Sequence, residues 1–449
     1  MKPIQALAAL LPTLLRASPV HNDAESDISR LPQPAQFARN LHDENFNFKE
    51  GSKHLRPVRE RRQDDTTPGY FQGQPNNGMG KGGRFNGGTN EALDLQNPNN
   101  LGAPNRDAGN VVNLKFSFSN ARTRTYNGGW VREQAISDLP PSKDIAGAQL
   151  SLDKGSIREF HWHRVAEWGY VYKGRIAVTA VDNMGRNQYS VASTGDVWYF
   201  PEGEGHALQG LDDENEFLLC FDDGDFGRLG TTFNLDDWLA KTPRDVLAKN
   251  FGLDISVFDA VPVPNPYIQN ATVSEEDIDH PFGELEGESS YVYKSSQQPA
   301  IEAPGGGGTY KNIDTEVFPI SKTISAAVVE LKPGAMRELH WHPNAEEWLY
   351  FHQGQARATV FLGNSAARTF DFVAGDTAVM PDNAGHYIEN TSQNETLVWI
   401  EVYKADRVLD NSLQQWLALT PAPIVASVLR IPVDVVRNMK KEKQVLIAA

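Results

Sequence analysis

Histidine and glutamate residues form one chemical pattern that the chain contains twice. Each copy has a His-Trp-His triplet, a glutamate four or five residues after the second histidine, and a more distant histidine. Similarly spaced glycines flank these residues in both copies. The two copies consist of His161, His163, Glu167 and His206, and of His340, His342, Glu347 and His386. Clusters of these residue types are typical metal ligands. The pattern therefore predicts two metal sites of the same kind.

Strand geometry explains how a His-x-His triplet can begin a metal site. Alternate residues of a strand point to the same side, so His161 and His163 face one interior together. Glu167 follows at an even offset and Glu347 at an odd one, so a turn or bulge must separate each glutamate from its histidines. Three imidazoles and one carboxylate suit manganese, iron or zinc. A six-coordinate ion would keep two positions open for water, substrate or dioxygen, whereas zinc would favour four ligands and hydrolysis.

The elements that must position these residues are short strands. From about residue 111 onward, apolar and aromatic runs alternate with Gly, Asp and Asn turns, which favours an antiparallel sandwich or barrel. A helical signature follows each copy, at residues 235–239 and 413–417, so the repeat extends into the scaffold. By alternation, Trp162 and Trp341 point away from the ligands and serve packing. The prediction is an all-β protein with two tandem barrels and short flanking helices.

The domain organisation follows from changes in composition along the chain. Residues 1–20 have the lysine, apolar run and small residues of a secretory signal, and the run is too short to span a bilayer. Residues 21–110 predict a propeptide and a flexible arm rich in Gly, Asn and Pro. The first barrel is placed at residues 111–260, a linker at 261–300 and the second barrel at 301–449. We therefore expect a secreted protein without a membrane span.

Charge restricts the partners of the chain. The formal net charge of −16 argues against a nucleic-acid partner and gives no general attraction for an anionic substrate. An anion must therefore be captured by a few placed cations. Three N-glycosylation acceptors, at Asn270, Asn390 and Asn394, fit the exported route and predict a glycoprotein.

The two motif pairs resemble the conserved motifs of the cupin superfamily, and the doubled Arg-Glu-(Phe/Leu)-His-Trp-His segment resembles the bicupin oxalate decarboxylases. The likeness spans about residues 111–440 and includes Phe-Asp-Asp-Gly at 221–224. It implies two cupin barrels, of the double-stranded β-helix or jelly-roll type, with one manganese ion each. It also implies conversion of oxalate to formate and carbon dioxide, with dioxygen as a redox partner. We also expect a homo-oligomer.

The resemblance implies roles for three residues besides the ligands. Arg158 and Arg337 match the family's substrate-binding arginine, whose planar fork suits a carboxylate. Strict strand alternation would turn both arginines away from the ligands. Glu401 matches the second-domain glutamate that the family places near the metal as a proton donor.

The segment after Phe-Asp-Asp-Gly departs from the family. There the family has a lid of the Ser-Glu-Asn-Ser-Thr type, whose glutamate handles the proton, whereas this chain has Asp-Phe-Gly-Arg-Leu-Gly-Thr-Thr at residues 225–232. Without that glutamate, a radical intermediate could pass its electron to dioxygen and give carbon dioxide and hydrogen peroxide. An oxalate oxidase is therefore the alternative. Asp225 could also replace the glutamate, Arg228 could bind a different acid, or catalysis could reside at the second site with Glu401.

Other classes of protein stay open. A metal-binding bicupin without turnover would carry the same ligands, because ligands alone do not show catalysis. A storage-type bicupin would not need complete ligand sets. A dioxygenase for a flavonol or similar substrate would need a larger apolar pocket, whereas Arg158 and Arg337 favour a small anion. The pattern does not distinguish which of the two sites turns over.

Overall fold

The computed structural model describes residue 107, residues 111–273 and residues 278–449. The predicted signal and nearly all of the predicted arm lie outside these residues. Strands β1 to β13 are Lys115–Ser117, Arg124–Tyr126, Gly129–Gln134, Ala146–Asp153, Ile157–His163, Glu167–Lys173, Arg175–Val181, Asn187–Ser193, Val197–Phe200, Gly205–Gly210, Glu214–Phe221, Thr232–Asn234 and Ile268–Gln269.

The remaining strands and the α-helices complete the repeat. Strands β14 to β26 are Val292–Tyr293, Ile301–Glu302, Gly308–Ile313, Ser325–Leu331, Met336–Trp341, Glu347–Gln353, Gln355–Gly363, Ala366–Val373, Asp376–Met380, Gly385–Asn390, Leu397–Tyr403, Asn411–Ser412 and Leu446–Ile447. Helices α1 to α5 are Leu235–Lys241, Arg244–Phe251, Leu413–Leu419, Ala422–Leu429 and Val433–Arg437.

Each barrel is built from two antiparallel sheets. In the first barrel the larger sheet has the order β14-β9-β6-β11-β4-β3-β2, and the smaller has β12-β5-β10-β7-β8 with β13 beside β5. In the second barrel the orders are β1-β22-β19-β24-β17-β16-β15 and β21-β20-β23-β18-β25, with β26 beside β18. The two barrels thus correspond strand for strand, which confirms the predicted all-β tandem architecture.

The barrels exchange their leading strands. β1 precedes the first barrel in the chain but pairs with β22 of the second, and β14 precedes the second barrel but pairs with β9 of the first. An ion pair accompanies each exchange: Lys115 Nζ lies 2.9 Å from Asp376 Oδ2, and Lys294 Nζ lies 3.2 Å from Asp196 Oδ2. Periodicity identifies a strand but not the sheet that it joins. The domain boundaries predicted from the sequence therefore could not show that β1 and β14 each join the sheet of the other barrel.

Each barrel has its own apolar core, and a further apolar cluster between them packs one barrel against the other. It contains Trp168 of the first barrel and Trp348 of the second, both fully buried. Trp348 Nε1 donates to Gln134 Oε1 of β3 at 2.7 Å. Gly147 makes room for this indole, because a Cβ at that position would lie 2.3 Å from Trp348 Cζ2. The two metal-ligand groups are thus held on one packed scaffold.

Short helices follow both copies of the motif, as the repeated signature predicted, and the structure places them beside the ligand strands. β12 and β25 pair with β5 and β18 immediately before α1 and α3 begin. Trp162 stacks on Phe233 with ring centroids 5.5 Å apart, and Trp341 contacts Trp416 at 5.8 Å. Both tryptophans therefore pack outside the barrels, as predicted. Among the described residues, no helix has the length and apolar character that a membrane crossing requires.

Candidate metal centres and the first-barrel pocket

The first ligand set, defined as His161, His163, Glu167 and His206, comes from three strands of the first barrel. The two histidines of the triplet lie on β5, a turn follows, and Glu167 opens β6, as its offset required. His206 lies directly opposite His161 in the β5–β10 pairing. All four side chains are buried, and their ligand atoms lie within 4.8 Å of one another.

Hydrogen bonds to the outer nitrogen fix the orientation of each imidazole in the first ligand set. The Nδ1 atoms lie 2.6 Å from the Glu159 carbonyl for His161, 2.9 Å from Thr232 Oγ1 for His163 and 2.8 Å from the Glu204 carbonyl for His206. A carbonyl can only accept, so Nδ1 of His161 and His206 carries the proton and each Nε2 offers a lone pair inward. The set is therefore prepared as three nitrogen donors.

The carboxylate of the first set is oriented in the same manner. Glu167 Oε2 lies 3.1 Å from His163 Nε2 and 3.5 Å from His206 Nε2. Its other oxygen, Oε1, accepts a hydrogen bond from Trp198 Nε1 at 3.0 Å. The tryptophan therefore turns one carboxylate oxygen toward the histidines and leaves it available to a cation.

Burial and nearby charges shift the pKa values of His161, His163 and Glu167 toward the protonation states that bind metals. Burial, assisted by the charge of Arg158, lowers the pKa of His161 well below its ordinary value, and burial lowers the pKa of His163 to about 4. Burial would raise the pKa of Glu167, but His206 and His163 outweigh it and leave that pKa below its ordinary value. Neutral imidazoles and an ionised carboxylate are the forms that ligate metals.

The second ligand set, defined as His340, His342, Glu347 and His386, repeats this geometry within the same 4.8 Å limit. Its Nδ1 atoms all face backbone carbonyls, those of Glu338, Leu409 and Ala384, at 2.6, 2.7 and 2.9 Å. Glu347 Oε2 lies 2.8 Å from His386 Nε2. The buried Nε2 of His340 has no hydrogen-bond partner among the described residues. A divalent cation would satisfy that atom, so each barrel contains a group of residues that fits a metal ion.

A β-bulge brings the candidate arginines to the ligand side of their strands. In the first barrel His161 faces His206 while Arg158 faces Leu208, so three steps on β5 match two steps on β10. The second barrel has the same shift between Arg337 and His340. The extra residue reverses the alternation. Strict alternation, which would turn both arginines away from the ligands, therefore does not hold on β5 and β18.

The two arginines have different partners. Arg158 Nη2 donates to Asn234 Oδ1 at 3.2 Å, and its guanidinium carbon lies 3.7 Å from the centroid of the Tyr267 ring. Arg158 Nη1 is buried without a hydrogen-bond partner among the described residues. Arg337 Nη2 instead donates to Asp410 Oδ2 at 2.5 Å in a buried ion pair. Arg158 thus keeps an N–H available, whereas Arg337 is paired with Asp410, which also pairs with Lys443 at 2.5 Å.

Glu401 lies beside the second ligand set in a chain of hydrogen bonds. Its Oε1 accepts from Trp399 Nε1 and its Oε2 from the Tyr403 hydroxyl, both at 2.9 Å. That hydroxyl also lies 3.2 Å from Glu347 Oε1, and burial together with the charge of Glu347 raises the pKa of Glu401. The Tyr403 hydroxyl therefore links Glu401 to the ligand Glu347.

The first barrel has apolar residues at the positions equivalent to Tyr403 and Glu401. Strand register places Phe221 opposite Glu167, as Tyr403 is opposite Glu347, and places Leu219 where the second barrel has Glu401. The barrels thus share their ligands but not the residues around them.

Comparisons with known proteins agree with this architecture. The Cupin family model matches residues 116–257 and again residues 295–436. A probable oxalate decarboxylase of Arthroderma benhamiae is 56% identical over 389 residues, which cover 86% of this chain and 96% of that protein. The chain belongs to the cupin family of bicupin oxalate decarboxylases.

A bacterial member of this family has been solved. The oxalate decarboxylase OxdC of Bacillus subtilis is 43% identical over 354 residues, covering 78% of this chain and 90% of that protein. Its structure at pH 4.6 has a TM-score of 0.77 and 41% sequence identity, covering 82% of this chain and 96% of that one. Another structure of the same Bacillus enzyme addresses its Mn(II) centres.

The lid, defined as residues 222–231, covers the first ligand set with an aromatic ring and not with a carboxylate. Phe226 stacks on Phe221 and its ring centroid lies 5.3 Å from that of His163. Asp225 is exposed and lies 3.8 Å from Arg228, which is also exposed. Neither of these charged lid residues lines the cavity at the first ligand set. Neither therefore takes the place of a lid glutamate in this conformation.

A small cavity of about 10 Å³ adjoins the first ligand set. Its lining includes Arg158, Tyr267, Phe226, the apolar Leu219 and one carboxylate besides the ligand Glu167, that of Glu133. A cavity of this size holds about one water molecule. An organic substrate therefore needs the Phe226 ring to move.

Sequence reasoning missed several residues of these sites. Tyr267 lies in the predicted linker, Glu133 lies on β3 far from the motif, Asp410 follows the second motif at no recognisable spacing, and Tyr403 lies near Glu401. Glu133 and Tyr267 both line the first cavity. Only Tyr403 had a usable signal, because it lies two residues after Glu401 and so shares its strand face.

Proposed function

We propose that this protein cleaves oxalate to formate and carbon dioxide, with one manganese ion in each ligand set and dioxygen as redox partner. The observation that carries the proposal is a buried arginine with an unused N–H beside a buried group of three histidines and one glutamate. The sequence likeness to oxalate decarboxylases over most of the chain supports it. Bound manganese would supply the one-electron oxidation that weakens the carbon–carbon bond of oxalate.

The first ligand set is the proposed oxalate site. Arg158 lines the cavity there, and its planar guanidinium can donate to a carboxylate of the substrate. Arg337 already donates to Asp410, so oxalate would have to displace a protein carboxylate at the second set. The buried guanidinium of Arg158 at this cavity favours a small anion over a flavonol or another apolar substrate.

Phe226 controls access to this site in our proposal. The ring closes the cavity above His163, and the lid that carries it contains three glycines, at 224, 227 and 230. A Cβ added at Gly227 or Gly230 would meet no other atom within 4 Å, so the segment around them is loosely surrounded. Opening of the lid admits oxalate, and closure excludes water from the reacting carbon.

The proton that completes formate must reach a carbon atom. Hydrogen oxalate contains all the atoms of formate plus carbon dioxide, so the residues only move one proton from oxygen to carbon. Glu133 is the carboxylate besides Glu167 that lines the first cavity, and its Oε1 is held by Arg124. We assign the proton transfer to Glu133, which would take over the task of a lid glutamate.

An oxalate oxidase is the second candidate. The specific observation in its favour is the lid, whose Asp225 is paired with Arg228 at the surface and does not line the first cavity. If no group returns the proton to carbon, dioxygen takes two electrons and two protons, and oxalic acid gives two molecules of carbon dioxide and one of hydrogen peroxide. The two reactions differ in every product except carbon dioxide.

Product analysis separates these candidates. Purified, manganese-loaded protein is incubated with oxalate at acidic pH in air, and formate, peroxide and carbon dioxide are quantified together. We expect about one formate per oxalate and little peroxide. Peroxide without formate would replace the proposal by the oxidase, and neither product at full metal occupancy would leave a bicupin that binds metal without turnover.

We also propose that the protein forms a homo-oligomer. Apolar side chains are exposed along the short helices and the segments beside them in both barrels. In the first barrel they are Trp238, Val246, Phe251 and Val257, and in the second they are Trp416, Leu419, Ile424, Val428 and Val435. Apolar surface of this extent favours burial against another copy. Light scattering on the purified protein should give a mass of several chains, and a monomer at micromolar concentration would contradict this.

Export is proposed on the sequence alone. The apolar run within residues 1–20 and the sequons at Asn270 and Asn394, both exposed, are compatible with a secretory route. Asn390 is 1% exposed and its amide donates to three backbone carbonyls, so it is not accessible in the folded protein. Expression in a secreting host should release a processed, glycosylated protein, and retention inside the cell of an unprocessed chain would count against export.

A further inference from the structure

The two barrels contain the same unusual backbone conformation beside their arginines. β13 and β26 pair with β5 and β18, so Tyr267 and Val445, the residues just before β13 and β26, occupy equivalent positions. Their φ angles are 63° and 58°. The carbonyl of Tyr267 accepts from the Glu159 amide, and the carbonyl of Val445 accepts from the Glu338 amide. The conformation is therefore a shared feature of the repeat.

A left-handed conformation is costly for an aromatic or β-branched residue. In the first barrel the Tyr267 amide donates to Asn265 Oδ1 at 2.8 Å, and in the second the Val445 amide donates to Glu338 Oε1 at 2.9 Å. These bonds hold the backbone against the strain. Glycine would adopt this conformation without strain, so the presence of a tyrosine in the first barrel calls for a reason in its side chain.

The tyrosine ring supports the guanidinium of Arg158. The guanidinium carbon is 3.7 Å from the ring centroid, and Arg124 lies 5.5 Å from the same centroid. Tyr126 stacks on Tyr267 at 5.0 Å with an interplanar angle of 25°. The ring is thus fixed in place. Val445 has no ring to offer at the equivalent position in the second barrel.

An aromatic ring and a carboxylate hold an arginine with opposite consequences. A carboxylate pairs with the charge and occupies an N–H donor, as Asp410 does for Arg337 while also pairing with Lys443. A ring attracts the cation through its face and leaves the N–H groups in the guanidinium plane unused. The nearest acid to Arg158 is Glu159, whose Oε1 is 3.6 Å from Nη1 and accepts from Asn265. Arg158 therefore retains its charge and a donor for an anion.

We propose that Tyr267 is a positioning residue that keeps Arg158 free of a tight protein counter-ion and thereby makes the first barrel the oxalate-binding one. This inference rests on the proposed function. The second barrel has the same backbone with a valine, and there the arginine is taken by Asp410. The ring of Tyr267 would then make the first barrel bind oxalate more tightly than the second, although both barrels have the same types of metal ligand.

Glycine suits the left-handed conformation at position 267, so a glycine variant can test the loss of the ring without adding backbone strain. Tyr267→Gly removes the ring and relieves the φ strain, so the variant should fold and retain its manganese. We expect its KM for oxalate to rise about tenfold, a typical loss for a desolvated cation–π contact, with a smaller change in kcat. Tyr267→Phe keeps the ring face and should keep the wild-type KM. Val445→Gly makes the same backbone change in the second barrel and should leave KM unchanged.

Calorimetric titration of the manganese-loaded proteins with oxalate under nitrogen gives affinity independently of turnover. The same order is expected, with wild type, Tyr267→Phe and Val445→Gly binding about tenfold more tightly than Tyr267→Gly. Equal affinities of Tyr267→Gly and wild type, an equal loss in Val445→Gly, or a loss in Tyr267→Phe would overturn the inference. If the wild type bound oxalate but formed neither formate nor peroxide, the proposed function would fall, while the binding series would still decide the role of Tyr267. A wild type that does not bind oxalate would refute both.

Discussion

The two barrels have the same metal ligands, yet their ligand sets have different surroundings. Around the second set Trp399, Glu401 and Tyr403 bond to one another and to a ligand, and Arg337 is paired with Asp410. Around the first set the equivalent strand is apolar, and the arginine rests on a ring. At the second site, protein groups pair with Arg337 and with Glu401, whereas at the first site an N–H of Arg158 has no hydrogen-bond partner among the described residues. Substrate binding is therefore expected where the protein leaves an arginine N–H without a hydrogen-bond partner.

Loss of the two arginines should have the largest and most different effects. Arg158→Ala removes a charge-assisted donor to oxalate, and we expect kcat/KM to fall about 100-fold with little loss of stability. Arg337→Ala removes one of the two cations that pair with the partly buried Asp410 and leaves Lys443, and we expect the free energy of unfolding to fall by about 2 kcal/mol. Steady-state kinetics and urea unfolding on both variants measure the two effects. Equal kinetic losses in the two variants would break the distinction between the barrels.

Replacement of Glu133 should change the products more than it changes binding. Glu133→Gln keeps the shape of the side chain but cannot carry the proton, so formate should fall about 100-fold, and peroxide should become a larger share of the products. The matched control is Asp225→Asn in the lid. Its carboxylate is exposed and paired with Arg228, so we expect rates within about twofold of wild type. A loss of formate only in Asp225→Asn would return the proton transfer to the lid.

A smaller effect should appear in the pH dependence of stability. Burial raises the pKa of Glu346, the residue before the ligand Glu347, from its ordinary value of 4.5 to about 7, and Ala166 precedes Glu167 at the equivalent position of the first barrel. A raised pKa means that the folded state holds the proton more tightly. Protonated Glu346 therefore contributes its full share to the free energy of unfolding below about pH 4.5, and this contribution is lost as the pH rises toward 7.

Glu346→Gln is the variant that isolates this contribution. In the wild type the Asp144 amide donates a hydrogen bond to Glu346 Oε1 at 2.7 Å, and the glutamine oxygen of the variant can accept the same bond. Melting temperatures of wild type should fall between pH 4.5 and 7 relative to those of the variant. Parallel curves for the two proteins would show that Glu346 does not titrate in this range.

The ligands, the repeat and the fold class could be read from sequence because each depends on local spacing. A His-x-His triplet on a strand fixes two inward imidazoles wherever the strand lies, and the doubling of the pattern removes ambiguity. The resemblance to a known family added the arginines and Glu401. The structure brings all of these residues to the two ligand sets.

The remaining features depend on contacts that spacing does not encode. The bulge that turns Arg158 inward is visible only in the pairing of β5 with β10, because it is a mismatch between two distant strands. The exchange of β1 and β14 requires knowledge of which sheet each strand joins. Tyr267 reaches Arg158 from a segment that looked like a linker, and its role depends on a backbone angle.

Variants that each keep one ligand set test the central claim most directly. His161→Ala with His163→Ala removes the first set, and His340→Ala with His342→Ala removes the second, with manganese content measured for both. We predict that the variant with an intact first set still forms formate from oxalate and that the variant with only the second set does not. Formate from the second set alone would contradict the account.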